Sequence, residues 1–156
     1  MTSFGVVPSI VQVIVQAQEA TNPVGGLVVL MTAIVPRKNN YVFGPKITDD
    51  AGRVCFTKDE MVREIDLCWK HVPMDYASSV EEMTGIKVEI PDTERITRLL
   101  DAARMWGLGV PEWRLSEEMI DRLKGALNRY YRPATVTVNR ANFSDILEVK
   151  VLLQRI

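Results

Sequence analysis

The sequence predicts an α+β protein, an antiparallel β-sandwich in which a helical block is inserted before a C-terminal β-hairpin. Three observations predict this class. Apolar residues alternate with a period of two up to Phe56, recur at helical spacing as far as Pro133, and alternate again beyond it. Because neighbours in sequence usually pair in space, we expect the strands at both ends to form one antiparallel system.

The size and composition fit one soluble domain. The chain has 156 residues, of which 47% are apolar and 25% are charged. We expect a single domain over 1–156, with β-structure at 8–57, a helical block at 58–132 that contains a short strand at 86–90, and β-structure at 134–155. The net charge of -1 gives no overall field that favours nucleic acid or a membrane surface.

The first two strands differ in how apolar they are. Apolar residues alternate with glutamines from Ile10 to Gln18, which predicts a strand with one buried and one partly wet face. No basic segment precedes it, so we read no export signal and no membrane span, and we expect a cytoplasmic protein. Leu27 to Val35 is apolar throughout, which predicts a strand at the centre of a sheet.

A β-hairpin is predicted from Tyr41 to Thr57. Both ends of this segment are rich in β-branched and aromatic residues, and the turn is expected at Thr48 to Gly52. Aspartate side chains in the turn can accept hydrogen bonds from nearby amides, and Gly52 tolerates a positive φ.

The helical block begins directly after this segment. Thr57 and Glu60 have the spacing of a capping box and predict a first helix that runs to about His71. A short strand is predicted at 86–90, where apolar and charged residues alternate.

Two further helices are predicted to form an antiparallel helical hairpin. Asp92 or Thr93 is expected to cap the second helix, which ends at Gly107. Ser116 is expected to cap the third, which carries an apolar stripe up to Pro133. This gives about three helices in the block.

A closing hairpin is predicted from the last part of the chain. Its two strands are expected at Ala134–Asn139 and Asp145–Arg155, on either side of a turn at 140–144. In the last strand, Ile146, Glu148, Lys150 and Leu152 alternate with Leu147, Val149, Val151 and Leu153.

The segment from Val11 to Phe56 resembles the transthyretin-like and carboxypeptidase-regulatory-like β-sandwich modules. The shared motif is Thr48-Asp49-x-x-Gly52-x-x-x-Phe56. The resemblance covers the N-terminal third and implies a transthyretin-like sandwich that acts in binding, stabilising or assembly. The enzymes of similar fold, the hydroxyisourate hydrolases, use several histidines and a C-terminal Tyr-Arg-Gly-Ser motif. This chain has His71 alone and does not end in that motif.

No cofactor or metal is expected. Asp49 and Asp50 offer too few oxygen ligands for a calcium loop and fit turn chemistry better. Cys55 and Cys68 are expected to be reduced and largely buried, since neither has the neighbours of a metal site. His71 could act as a general base, but its place at a helix C-terminus favours a capping role.

The most basic region surrounds the end of the third predicted helix. It could hold phosphate or single-stranded nucleic acid, but its acidic neighbours favour a solvated helix face, and nucleic acid is not the expected partner. Its members are Arg114, Arg122, Lys124, Arg129, Arg132 and Arg140, interleaved with Tyr130 and Tyr131.

The candidate partner site is the loop from Gly107 to Trp113. Leu108, Val110 and Trp113 have no place in either helical stripe, so they could present an apolar surface. The expected function is therefore a non-enzymatic interaction or assembly module that binds another protein or itself. If it binds itself, the expected assembly is a homodimer. The alternative is a small-molecule-binding protein or small enzyme with a site between sheet and helices, built from His71, Asp75 and Arg104.

Overall fold

The structure, a computed structural model, describes residues 6–19, 21–36, 41–68, 80–106 and 117–156. These residues form two β-sheets and several helices, so the α+β class is confirmed. The strands are β1 (Ile10–Ala17), β2 (Val28–Ile34), β3 (Tyr41–Ile47), β4 (Arg53–Thr57), β5 (Gly85–Ile90), β6 (Ala134–Asn139) and β7 (Ile146–Leu153). The α-helices are α1 (Lys58–Cys68), α2 (Thr93–Trp106) and α3 (Glu117–Lys124).

Sheet A has three strands in the order β4-β1-β7. The central strand β1 pairs antiparallel with β4 and parallel with β7, from Ile10 beside Ile146 to Ala17 beside Leu153. The prediction of one antiparallel system is therefore wrong, because the two ends of the chain meet in a parallel pair. Alternation predicts which face of a strand is buried, but it does not fix the direction of the neighbouring strand.

Sheet B has four strands in the order β3-β2-β5-β6, and every pair in it is antiparallel. β2 lies between two other strands and is buried on both faces from Val28 to Ala33. The predicted central position of this uniformly apolar segment is confirmed. β5 coincides with the short strand expected inside the helical block.

Both sheets contribute to one buried core. From sheet A it contains Val11, Val13 and Val15, none of which has any exposed surface. From sheet B it contains residues of β2, β3 and β5, including Met31 and Phe43. Burying apolar side chains of this size is worth about 1.5–3 kcal/mol each, so this shared core is the main source of stability.

Neither predicted β-hairpin forms. β3 belongs to sheet B and β4 to sheet A, and β6 and β7 are divided in the same way. The turn itself is as predicted, because Asp49 Oδ1 accepts hydrogen bonds from the N–H groups of Ala51 and Arg53, and Gly52 has a φ of 71°. Local turn chemistry is thus correct, whereas each strand pairs with a strand remote in sequence.

The helix starts follow the sequence closely. The Glu60 N–H donates to Thr57 Oγ1 (3.1 Å) at the start of α1. The Glu60 carboxylate makes an ion pair with Lys46 (2.6 Å), so half of the predicted capping box is replaced by a charge pair. Of the two candidate caps of α2, it is Asp92 whose carboxylate accepts from a helix N–H, that of Arg95 (2.8 Å).

The third helix is shorter than predicted. α3 ends at Lys124, and a 3-10 helix follows at Leu127–Tyr130 instead of a continuation to Pro133. Gly125 follows the last residue of α3, and a glycine at this point favours helix termination. Ile96 of α2 and Leu123 of α3 pack with Val28 of β2, so helices cover the side of sheet B that faces away from the shared core.

Candidate interaction surface

β7 separates its side chains into a buried and an exposed row. Four side chains face the core, and the alternate four are exposed. The exposed row is Ile146, Glu148, Lys150 and Leu152, in which Ile146 is 63% and Leu152 53% exposed. Single exposed apolar side chains are common on protein surfaces, so the significance of this row depends on whether the backbone beside it is also unpaired.

Among the described residues, the backbone of β7 is paired on one side only. The carbonyl groups of Asp145 and Leu153 accept hydrogen bonds from N–H groups at the two ends of β1. Because N–H and C=O directions alternate along a strand, the groups of Glu148, Lys150 and Leu152 point away from β1. Within the described ranges no hydrogen bond reaches them on that side.

Each end of this unpaired side is closed. The Ser144 hydroxyl donates to the carbonyl of Ile146 (2.8 Å). At the other end the Arg132 N–H donates to the carbonyl of Gln154 (2.9 Å). The part of the edge that is available to another strand is therefore 148–152, and we call it the β7 edge.

The opposite edge of sheet A is occupied. The Arg53 N–H donates to Asp49 Oδ1 (3.0 Å), and the Arg53 carbonyl accepts from the Asp49 N–H (3.1 Å). The Cys55 carbonyl accepts from Lys46 Nζ (2.5 Å), which also pairs with Glu60. Asp49 and Lys46 thus take three of the outward groups of β4, both main-chain groups of Arg53 and the carbonyl of Cys55.

A buried asparagine, Asn128, satisfies main-chain groups of β2 that have no neighbouring strand. The Val28 N–H donates to Asn128 Oδ1 (2.8 Å), and Asn128 Nδ2 donates to the carbonyls of Val28 (3.2 Å) and Pro91 (2.8 Å). β5 ends just before Pro91, so β2 loses its neighbour at this point. The Asn128 amide, 2% exposed, takes the place of the missing strand.

Most residues of the two predicted sites lie outside the described residues. These are His71 and Asp75 of the alternative site and Leu108, Val110 and Trp113 of the partner loop. Arg104 belongs to α2 by its backbone. Both sites remain predictions.

The basic region is partly structural. The Arg140 guanidinium donates to the carbonyls of Glu81 (2.6 Å) and Met83 (3.2 Å), so it holds the connection that precedes β5. The Arg129 guanidinium lies over the Tyr130 ring, 4.9 Å from its centroid. Intramolecular contacts therefore occupy part of the charge that a nucleic acid would have to use.

Cys55 is exposed, so the prediction of two largely buried thiols is wrong for this residue. The cause is the alternation within β4. Val54 and Phe56 face the core, which turns Cys55 to the outside.

Asp49 and Asp50 take part in no metal-ligand cluster. Over the described ranges the structure contains no group of three or more His, Cys, Asp and Glu side chains that could hold a metal ion. Asp49 instead uses its carboxylate for the two turn amides.

Sequence reasoning did not identify the β7 edge as a candidate site. The signal was present, because alternation assigns Ile146 and Leu152 to the face opposite the buried row. What the sequence did not show was that β7 lies at the edge of a sheet, since this depends on its pairing with β1 across the whole chain.

Comparison with protein-family models, with curated proteins and with solved structures gave no match. In the part of the chain that the structure describes, no helix has the length and apolar character needed to cross a membrane. The inference of function therefore rests on the exposed features of the fold, chiefly β7.

Proposed function

We propose that this chain is a non-enzymatic, cytoplasmic protein-interaction or assembly module built on a transthyretin-like β-sandwich. The observation that carries the proposal is the exposed row of β7 beside its unpaired backbone. An edge strand of this kind can bind a further strand through main-chain hydrogen bonds, and the neighbouring side chains then give specificity. Binding by strand addition requires no proton-transfer group or cofactor.

The sandwich is supported by the way the chain passes between sheets. It moves from sheet B to sheet A between β3 and β4, and again between β6 and β7. The inner faces of both sheets fill one core. Two antiparallel-rich sheets with a shared core are the general form of such modules, and α2 and α3 are an addition on the outer side of sheet B.

A reducing compartment is supported by Cys55. Its thiol is exposed on the outer face of sheet A and forms no disulfide. Exposed thiols of this kind persist where glutathione and thioredoxin keep them reduced, which suits the cytoplasm.

The proposal is tested by removing apolar surface from β7 without weakening the strand. Ile146→Thr keeps a β-branched side chain, and Leu152→Thr introduces one and so improves β propensity. The fold should therefore persist in both variants. We expect self-association, or binding of a partner captured by the wild-type protein, to fall about tenfold for the double variant. Isothermal titration calorimetry or sedimentation measures this.

Ile156→Thr is the matched control, because Ile156 is 77% exposed but lies beyond the end of β7. Association that survives the double variant unchanged would remove β7 from the proposal. Equal loss in the control would indicate a general effect of surface hydrophobicity.

The loop from Gly107 to Trp113 supplies a second candidate surface. Replacing Trp113 with Ala is expected to weaken partner binding or self-association while the melting temperature stays nearly unchanged. The same samples can be measured by calorimetry and by sedimentation. A large fall in melting temperature with intact association would make Trp113 a core residue instead.

A further inference from the structure

We propose that β7 pairs antiparallel with β7 of a second copy of this chain, about a two-fold axis at Val149. The pairing would join two three-stranded sheets into one continuous sheet. It deepens the proposed assembly function, on which it rests, by naming the partner and the register.

The backbone directions permit this register. With Val149 opposite Val149 of the second copy, Glu148 lies opposite Lys150 of that copy. Both residues direct N–H and C=O groups away from β1, so each such pair can exchange two main-chain hydrogen bonds. Val149 itself points toward β1 and would occupy a position without hydrogen bonds between the strands, as the alternation of an antiparallel ladder requires.

The side chains select the same register. Read outward from Val149, the exposed row presents Glu148 and Lys150 first, then Ile146 and Leu152. Each copy therefore places a carboxylate opposite an ammonium group and an isoleucine opposite a leucine. Opposite charges and apolar pairs across strands are both stabilising, and the two-fold axis produces every pair twice.

Neighbouring registers lack this complementarity. Shifting the second strand by two residues in one direction places Glu148 opposite itself, and in the other direction places Lys150 opposite itself. Like charges directly opposite each other destabilise a sheet. Self-complementarity in a single register favours a second copy over a strand of unrelated sequence as the occupant of the β7 edge.

Pairing would also remove the exposed apolar surface of the row. Ile146 and Leu152 are 63% and 53% exposed in the single chain, and across the axis they would cover each other. The outward main-chain groups of Glu148 and Lys150 would be satisfied in the same step. At the other edge of sheet A, Asp49 and Lys46 already occupy both outward groups of Arg53 and the carbonyl of Cys55, so a second copy would find fewer free main-chain groups there.

Charge exchange between two variants tests the proposal. In Glu148→Lys both copies present lysines at the two positions, and in Lys150→Glu both present glutamates. Each single variant is expected to raise the dimer dissociation constant about tenfold at low salt, because every opposite-charge pair becomes a like-charge pair. Sedimentation equilibrium over a range of concentrations measures the constant.

An equimolar mixture of the two variants should restore association. In the mixed dimer the lysines of one chain face the glutamates of the other at both positions, so its dissociation constant should return to within about threefold of the wild-type value. The double variant E148K/K150E should dimerise for the same reason. Arg53→Glu on the β4 edge is the matched control and should leave the constant unchanged.

A cross-link tests the register independently of charge. In a Cys55→Ser/Cys68→Ser background, Val149→Cys should form an intermolecular disulfide when the protein is refolded under mild oxidation. Val149 lies on the buried face (2% exposed), and opposed residues at this kind of position have Cα atoms about 4.5 Å apart. Peptide mass spectrometry identifies the bond, and Ile156→Cys serves as the control that should not cross-link.

Three results would overturn the pairing: a wild-type protein that stays monomeric at high concentration, a dimer that tolerates both single charge reversals, or single variants whose mixture does not associate. A monomer that still loses a bound protein partner on Ile146→Thr and Leu152→Thr would refute the second copy but support the interaction module. If the wild-type protein is monomeric and the Ile146→Thr and Leu152→Thr changes also leave partner binding unaltered, the interaction module is refuted as well.

Discussion

The two edges of sheet A differ in whether their backbone is already satisfied. At β4, Asp49 and Lys46 reach both outward main-chain groups of Arg53 and the carbonyl of Cys55 from the preceding turn and strand. At β7 the adjoining segments close only the ends, at Ile146 and Gln154. Both strands alternate buried and exposed side chains, so the availability of an edge depends on the segments that flank it more than on this pattern.

The Asn128 contact to β2 is a third case in this comparison. It shows that a single side chain can replace a missing strand where β5 stops at Pro91. Main-chain groups that have no neighbouring strand are thus satisfied in two ways in this protein. At the edge of sheet A charged side chains bind them, and in the interior the Asn128 amide does so.

Asn128→Ala is expected to have the largest effect on stability. It leaves the Val28 N–H and two carbonyls without partners in a buried setting, and each such group costs about 1–3 kcal/mol. We expect a loss of about 3 kcal/mol in the free energy of unfolding, measured in urea. Asn142→Ala, at an exposed position, is the control. A loss similar to that control would mean that water replaces the amide readily.

Gly52→Ala is expected to be the next most damaging, because it disturbs the turn that closes the β4 edge. Gly52 has a φ of 71°, and a Cβ there would collide with the carbonyl of Val15. Strain of this kind costs about 1–3 kcal/mol, which we expect as a fall in unfolding free energy. In Gly125→Ala the added Cβ would meet only ordinary contacts, the closest at 3.5 Å, so stability should change little. Equal effects at both glycines would contradict the steric argument.

Lys46→Met is expected to have a smaller effect. The variant keeps most of the aliphatic stem but removes the ammonium group from the Cys55 carbonyl and from Glu60. Because the pair is partly exposed, we expect a loss of about 1 kcal/mol by chemical denaturation. Lys150→Met makes the same replacement on the β7 edge and should leave the stability of the monomer unchanged. Equal losses would show that the two edges do not differ in this way.

Local features were predictable because they depend on few adjacent residues. The cap at Asp92, the turn at Asp49 and the buried face of β1 all follow from neighbouring positions. The central place of β2 was also predictable, since a strand covered on both faces must be apolar throughout.

The pairing of strands was not predictable in the same way. Nothing near Ile10 specifies that it lies beside Ile146, and alternation in β3 and β4 is compatible with a hairpin or with two sheets. The β7 edge is a property of that pairing, which is why its exposed residues could be placed on one face from the sequence but not recognised as an edge. Asn128 is a similar case, because its partners Val28 and Pro91 are remote in sequence.

The parallel pair of β1 and β7 also has a consequence for the order of folding. β1 precedes β7 in the chain and carries Val11, Val13 and Val15, but its full ladder of contacts waits for β7, more than a hundred residues later. Such distant contacts slow folding, because a long loop must close before they form. During translation β1 can have β4 as a neighbour while its other side stays unsatisfied, so sheet A is completed only when β7 has left the ribosome.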